Sequence, residues 1–297
     1  MLLAERTGRV IRSFSDVYEV QDAGGIVSCR LRGRFRKELV TVLTGDRVRF
    51  VAGPADAGII TGVLPRRNQL VRPPVANVDQ VVVVATLVEP PLDPVLLDRL
   101  LVVASRQELD VLICLNKLDL CESADARAFL DLYAGAGYRV LAISARTGLH
   151  LDELSARLAG RISVMAGPSG VGKSSLINGL RPGLQLRVER VSRAGGRGRH
   201  TTRRVELLEV GNQAWVVDTP GFSRLDLDSV PKVELAEHFP DMARLKAGCR
   251  FRDCLHRQEP DCAVRAAFEQ GSLAPGRYWN YLAFLAEIEE LERRRYS

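Results

Sequence analysis

One strand-loop-helix signature sits in the middle of this chain, and its place relative to two other motifs constrains the fold more than any other feature. Gly167-Pro168-Ser169-Gly170-Val171-Gly172-Lys173-Ser174 follows the apolar run Ile162 to Ala166 and opens a helical stretch from Ser174 to Leu180. Glycines in that setting let backbone N–H groups face phosphate oxygens, with Lys173 reaching the β and γ phosphates and Ser174, followed by Ser175, at a magnesium ion. Asn116-Lys117-Leu118-Asp119 comes before this loop, and Asp218-Thr219-Pro220-Gly221 comes after it. Guanine-nucleotide switches ordinarily run the other way, with the phosphate loop first and Asn-Lys-x-Asp near the end. The parts here are complete and their order is circularly permuted.

Each part has its own chemistry. Asp119, at the end of the run Val111 to Leu115, can accept hydrogen bonds from the N1 and N2 donors of guanine. Adenine lacks that pair and would leave the carboxylate unpaired, so the motif selects GTP and GDP over adenine nucleotides. Ser144-Ala145 ends the next apolar run and supplies a backbone amide for guanine O6. Asp218 ends another, where a carboxylate enters the magnesium shell and the Gly221 amide meets the γ-phosphate. Between them, Ser192 to Thr202 is rich in glycine and arginine, and Thr201 or Thr202 would cap the magnesium while GTP is bound. Many GTPases place a water-orienting glutamine where this chain has Phe222, and an aromatic ring cannot orient water by hydrogen bonding. His200 is the expected substitute, with Arg197 or Arg199 stabilising charge.

The apolar runs Val81 to Val84, Val111 to Leu115, Val140 to Ile143, Ile162 to Ala166 and Ala214 to Val217 alternate with helical stretches, which predicts a doubly wound α/β domain over residues 73–228. Residues 1–72 read differently. Short alternating strands (Gly8 to Ile11, Val17 to Val20, Ile26 to Leu31, Leu39 to Leu43, Arg47 to Val51, Ile59 to Val63) separated by glycines predict a small all-β barrel of OB-fold type, with an SH3-like barrel as the alternative. This segment holds 13 Lys and Arg against 7 Asp and Glu, which is the whole of the chain's net charge of +6. A charge excess so confined points to an anionic partner, and Arg30, Arg32, Arg34, Arg36 and Lys37 around Phe35 suit RNA. Pro65 to Pro74 reads as a linker.

The third segment, 229–297, shows no strand pattern and is expected to be mostly helical. Tyr278, Tyr281, Leu282, Leu285, Ile288 and Leu291 recur at helical spacing ahead of Arg293-Arg294-Arg295. Cys249, Cys254, His256 and Cys262 lie within fourteen residues and offer three thiolates and one imidazole, enough for one closed, structural zinc site with no position left for water. Cys29 and Cys114 stand in apolar surroundings as buried thiols. With 46% apolar and 26% charged residues and no sustained apolar stretch at the start, disorder, secretion and a membrane partner are excluded as readings, and a cytoplasmic monomer is expected. Two competing functions remain at this point: a GTP-gated RNA-binding adaptor with incidental hydrolysis, and a GTPase acting on a protein partner.

Taken together, these residues resemble the circularly permuted, ribosome-associated GTPases of the RsgA (YjeQ/YloQ) family, over nearly the whole chain. That family joins an OB-fold, a permuted GTPase domain and a zinc domain with the pattern Cys-x4-Cys-x-His-x5-Cys, which Cys249, Cys254, His256 and Cys262 reproduce. Its switch motif commonly reads Gly-x-His-Thr-Thr-Thr; here Gly198-Arg199-His200-Thr201-Thr202 is followed by Arg203, so Thr201 and Thr202 remain alternatives for magnesium. The resemblance also covers the hydrophobic residue at Phe222. It implies binding to the small (30S) ribosomal subunit and its rRNA late in maturation, with hydrolysis of GTP stimulated by that subunit.

Overall fold

The computed structural model describes residues 4–14, 16–33, 41–53, 57–71, 73–184, 205–218 and 226–295. The expected roles of Arg34 to Lys37, Ser192 to Thr202 (with His200, Thr201 and Thr202), Gly221 and Phe222 therefore fall outside the described residues, as does the side chain of Asp218.

The continuous apolar runs become the strands β8 (Gln80–Ala85), β9 (Asp110–Leu115), β10 (Arg139–Ala142), β11 (Ile162–Ala166) and β13 (Trp215–Asp218), all parallel. Their spatial order is β10-β9-β8-β11-β13, completed by the antiparallel β12 (Glu206–Glu209). Both faces are covered, which is why the runs do not alternate. Val81, Val83, Ile113, Leu115 and Val164 pack against Leu97 and Leu101 of α1 (Pro94–Arg106) and Phe129 and Tyr133 of α2 (Ser123–Ala136). Val82, Val84, Leu112, Cys114 and Met165 point the other way, onto Leu154 and Leu158 of α3 (Leu151–Leu158) and Leu176 and Ile177 of α4 (Lys173–Leu180). The chain winds outward from β8 to β10 and then returns to the opposite side of β8 as β11. Ligands collect at the carboxyl ends of strands where the winding reverses in this way.

Ahead of this sheet, β1 (Glu5–Phe14), β2 (Val17–Asp22), β3 (Gly25–Leu31), β4 (Arg47–Ala52) and β5 (Ala57–Val63) run in the order β1-β2-β3-β5-β4, and β4 pairs back onto β1. This is the closed five-strand barrel of OB-fold type, filled by Val10, Tyr18, Val20, Val27, Cys29, Val48, Phe50 and Ile60. The expected strand at Leu39 to Leu43 is not formed where it is described. Thr41 to Leu43 are irregular because the Asp46 carboxylate accepts from the Leu43 N–H and draws the chain into a turn, leaving Thr44 with one isolated bridge to Val75.

Two features join the barrel to the α/β sheet. Residues 65–71 are fastened down: Arg66 holds the fully buried Asp46 carboxylate at 2.7 Å, and the two-residue strands β6 (Gln69–Leu70) and β7 (Val75–Ala76) pair with one another. The barrel and the α/β sheet are also continuous. Arg12 of β1 pairs with Glu206 of β12, giving eleven strands in one sheet.

The C-terminal segment is helical, with α5 (Pro240–Lys246), α6 (Ala263–Glu269) and the 21-residue α7 (Pro275–Arg295). Its core gathers Leu235, Phe239, Met242, Val264, Tyr278, Tyr281, Phe284, Leu285 and Ile288, together with Val102 from α1. Arg277, 2% exposed, ties it to the α/β domain: its guanidinium donates to Asp98 of α1 at 2.5 Å and to Asp241 at 2.7 and 2.8 Å, while Asn280 donates to Asp98 at 2.7 Å. Among the described residues, no helix is long and apolar enough to cross a membrane.

Candidate nucleotide site and metal centre

The three described motifs meet at the carboxyl edge of the sheet. Asn116 leaves β9, Ser144 follows β10, and residues 167–172 link β11 to α4. Asn116 is 1% exposed and serves as the joint between them. Its Nδ2 donates to the Val171 carbonyl at 2.8 Å, and its Oδ1 accepts from the Ala145 N–H at 3.0 Å. A buried amide with donor and acceptor both satisfied holds the loop 167–172 and the loop after β10 in one register. This bracing function was not legible in the sequence, where Asn116 was simply one letter of a motif.

The glycines of the loop are required by close approach. A Cβ on Gly167 would stand 2.3 Å from the Val84 carbonyl oxygen, and one on Gly172 would stand 2.3 Å from Asn116 Nδ2; both residues have positive φ, +135° and +98°. Lys173 Nζ donates to the carbonyls of Gly167 and Pro168, at 2.8 Å each, so the ammonium curls back over the loop. Ser174 and Ser175 lie half-buried in the first turn of α4, and Ser169 is exposed at the crest of the loop. This is the N-terminus of a helix behind a chain of backbone amides, a geometry that receives phosphate.

At the other end, Ser144 Oγ donates to Asp119 Oδ1 at 2.5 Å and accepts from the Thr147 N–H at 3.2 Å. The hydroxyl thus occupies one of the two carboxylate oxygens. Arg146 lies 3.7 Å from Asp119 Oδ2. Lys117 adopts a left-handed backbone, and its Nζ donates to the Glu89 carbonyl, which fixes the loop between β8 and α1 beside the site. The contributions of Thr147 and Glu89 were not anticipated. Thr147 could have been found as the continuation of Ser144-Ala145, but Glu89 acts through its backbone and carries no side-chain signal.

Asp218 ends β13, the strand on the far side of β11 from β8. The motifs thus line one edge in the order Asn116 to Asp119 and Ser144, loop 167–172, Asp218, which is also the order in which the chain visits them and is permuted relative to ordinary guanine-nucleotide switches.

The cysteine and histidine side chains converge at a separate place. The four ligand atoms of Cys249, Cys254, His256 and Cys262 all lie within 4.8 Å of one another. His256 Nδ1 is 3.5 Å from Cys249 Sγ and 3.4 Å from Cys262 Sγ, and the two sulfurs are 4.0 Å apart. A tetrahedral zinc with bonds of about 2.3 Å to sulfur and about 2.0 Å to nitrogen needs S···S of about 3.8 Å and S···N of about 3.5 Å, so the residues fit that ion. Burial pushes the Cys254 thiol up to about 12 and His256 down to about 4. A cation supplied to the cluster would stabilise the thiolates that burial disfavours. The loop is braced from outside: Tyr278 and Tyr281 hydroxyls donate to the carbonyls of His256 and Leu255 at 2.7 and 2.8 Å, and Glu259 accepts from the N–H groups of Leu255 and Arg257, each at 2.8 Å. Cys29 and Cys114 are fully buried elsewhere, as expected.

Comparison with known proteins agrees with this layout. The RsgA N-terminal domain matches residues 7–60, and the RsgA GTPase domain matches residues 63–228. A protein of Moorella thermoacetica named small ribosomal subunit biogenesis GTPase RsgA is 50% identical over 287 residues, covering 96% of this chain and 98% of its own length. One of the same name from Geobacillus thermodenitrificans is 46% identical, covering 97% and 99%. Among solved structures, YjeQ from Thermotoga maritima superposes with a TM-score of 0.84 at 38% identity, over 96% of this chain and 99% of that one. YloQ, described as a circularly permuted GTPase, follows with a TM-score of 0.82 at 36% identity, over 97% and 96%. With a permuted set of guanine-nucleotide motifs assembled on one sheet edge, behind a five-strand barrel and ahead of a Cys3His cluster, this chain belongs to the RsgA GTPase family.

Proposed function

We propose that this protein is a GTPase of small ribosomal subunit biogenesis: it binds the 30S subunit, assists late maturation, and hydrolyses GTP to GDP and phosphate with stimulation by the subunit. The observation that supports the reading is the joint made by Asn116, which ties the phosphate loop to the Ala145 loop beside Asp119, as a guanine-nucleotide site requires. The names of relatives 43% to 50% identical over their full lengths supply the partner.

In this reading guanine is read by Asp119 and by the Ala145 amide, which on binding exchanges its bond to Asn116 Oδ1 for guanine O6, and the phosphates are held by Gly167 to Ser175 with Lys173. Ser174, Asp218 and one of Thr201 and Thr202 would hold a magnesium ion, which would supply charge neutralisation to the phosphates. His200 orients the attacking water in place of a glutamine, and Gly221 meets the γ-phosphate. Cys249, Cys254, His256 and Cys262 hold a structural zinc. The barrel's cationic excess meets rRNA, and the protein works as a cytoplasmic monomer.

The test is GTP turnover alone, with purified 30S subunits and with 50S subunits. Stimulation by 30S alone is expected; equal slow turnover in all three would replace this reading with the adaptor or the protein-partner GTPase.

A further inference from the structure

The seam between barrel and sheet lies at the phosphate end of the site. On one edge of β1, Glu5 to Arg9 pair with β4 and close the barrel, and Arg12 pairs with Glu206 of β12. A register irregularity between Val10 and Arg12 accompanies the change; such bulges bend a strand and re-aim the next side chain. Arg12 forms an ion pair with Glu206 and reaches Glu19 of β2 at 3.3 Å. Glu206 is in turn the cross-strand partner of Asp218. Arg12, Glu206 and Asp218 therefore stand side by side on three adjacent strands, a row about 10 Å long at ordinary strand spacing.

The surroundings bind this row into one body. Ile11 of β1 is buried in the α/β core with Leu207, Trp215 and Val217 of the β12–β13 pair. The Arg9 guanidinium lies over the Trp215 ring, 5.7 Å from its centroid. Thr44 Oγ1 donates to the carbonyl of Val205, the residue before β12, at 3.2 Å. A slip of one residue would carry every buried side chain to the wrong face, so β1, β12 and β13 respond as a unit.

We propose that Arg12 and Glu206 are positioning residues for GTP hydrolysis: through this row the barrel sets where Asp218 stands relative to the phosphate loop. The proposal rests on the reading of Asp218 as the magnesium carboxylate. It gives whatever engages the barrel a path to the phosphates, distinct from the covalent path through residues 64–79, which enters the sheet at β8.

The experiment follows release of a fluorescent GDP (mant-GDP) across a magnesium titration, alongside 30S-stimulated turnover. Glu206→Gln keeps the shape and removes the charge. It is expected to raise the magnesium midpoint about threefold to fivefold, the range for a half-exposed ion pair, with release in the absence of magnesium unchanged. Stimulated kcat falls by a similar factor at constant KM for GTP. Arg12→Glu acts likewise, Arg12→Lys retains the original midpoint, and Arg12→Glu combined with Glu206→Arg restores it. Glu19→Gln leaves it in place. A midpoint unmoved by Glu206→Gln, or an exchanged pair that fails to restore it, overturns the proposal. Asp218→Asn separates the two readings. If it leaves the midpoint unmoved, the magnesium assignment fails and the proposal loses its endpoint; if it moves the midpoint and Glu206→Gln does not, the row alone fails.

Discussion

The nucleotide site and the zinc cluster hold their functional groups in opposite ways. The first draws on loops at the ends of several strands, with Asn116 and the loop 167–172 far apart in sequence, and its geometry is carried by the sheet beneath it and by hydrogen bonds such as Asn116 to Val171 and Ala145. The second packs four ligands into fourteen residues with little regular structure around them. The backbone around them is braced by Tyr278, Tyr281 and Glu259, but the Cys254 and Cys262 thiols and the His256 imidazole face mainly one another, and burial opposes the charged thiolates. The difference teaches that one site is preorganised by the sheet beneath it, while the other gathers groups that an ion, if bound, would hold together.

Zinc removal tests this most severely. Structural zinc contributes on the order of 10 kcal/mol in small domains, so chelation under reducing conditions should melt residues 226–295 while GDP binding persists. Elemental analysis should find one zinc per chain, and loss of GDP binding in step with zinc would show that the two sites are not separable. Next in size is Arg277→Ala. It leaves Asp98 buried without its cation and is expected to cost about 3 to 5 kcal/mol, read as denaturant midpoint. The same substitution should leave zinc content unchanged, because Arg277 joins the helical module to α1 without touching the cluster.

Ser144→Ala is smaller and confined to the preorganised site. Removing a 2.5 Å hydrogen bond to a carboxylate should cost about 1.5 to 3 kcal/mol, roughly tenfold or more in GDP affinity, with the melting curve little changed. The smallest effect concerns pH. His238 accepts or donates at 3.0 Å with Ser105 Oγ, and its Nε2 is buried without a partner. Burial, with Arg106 nearby, lowers its pKa below the ordinary 6.5. The unfolded chain then binds the proton more readily than the folded one, so stability declines as pH falls below about 6.5. His238→Gln should flatten that part of the profile in thermal melts at pH 7.5 and 5.5.

The same contrast explains what could be read from the letters alone. The members of the Cys3His cluster are local in sequence, so spacing reveals that they can gather. The phosphate loop and the strands beneath it are written as continuous apolar runs beside glycine, and these too are legible. β12 was missed because Glu206-Leu207-Leu208-Glu209 carries no β-branched residue and favours helix; it is a strand because β13 and β1 pair with its two sides. Arg277 reads as a surface cation on an amphipathic helix. Its burial depends on Asp241 and Asp98, 36 and 179 positions away, and no window of sequence contains them.

The pairing of Arg12 with Glu206 also has a consequence for how the chain is made. The five strands of the barrel are complete by Val63, yet part of β1 waits for a partner nearly two hundred residues further along. At about 5 to 20 residues per second, synthesis leaves that edge uncovered for roughly 10 to 40 seconds. During this interval the nascent barrel exposes Ile11 and a stretch of unpaired backbone, the kind of edge on which strands of other chains assemble. Completion of the GTPase sheet is therefore also the step that seals the barrel against aggregation.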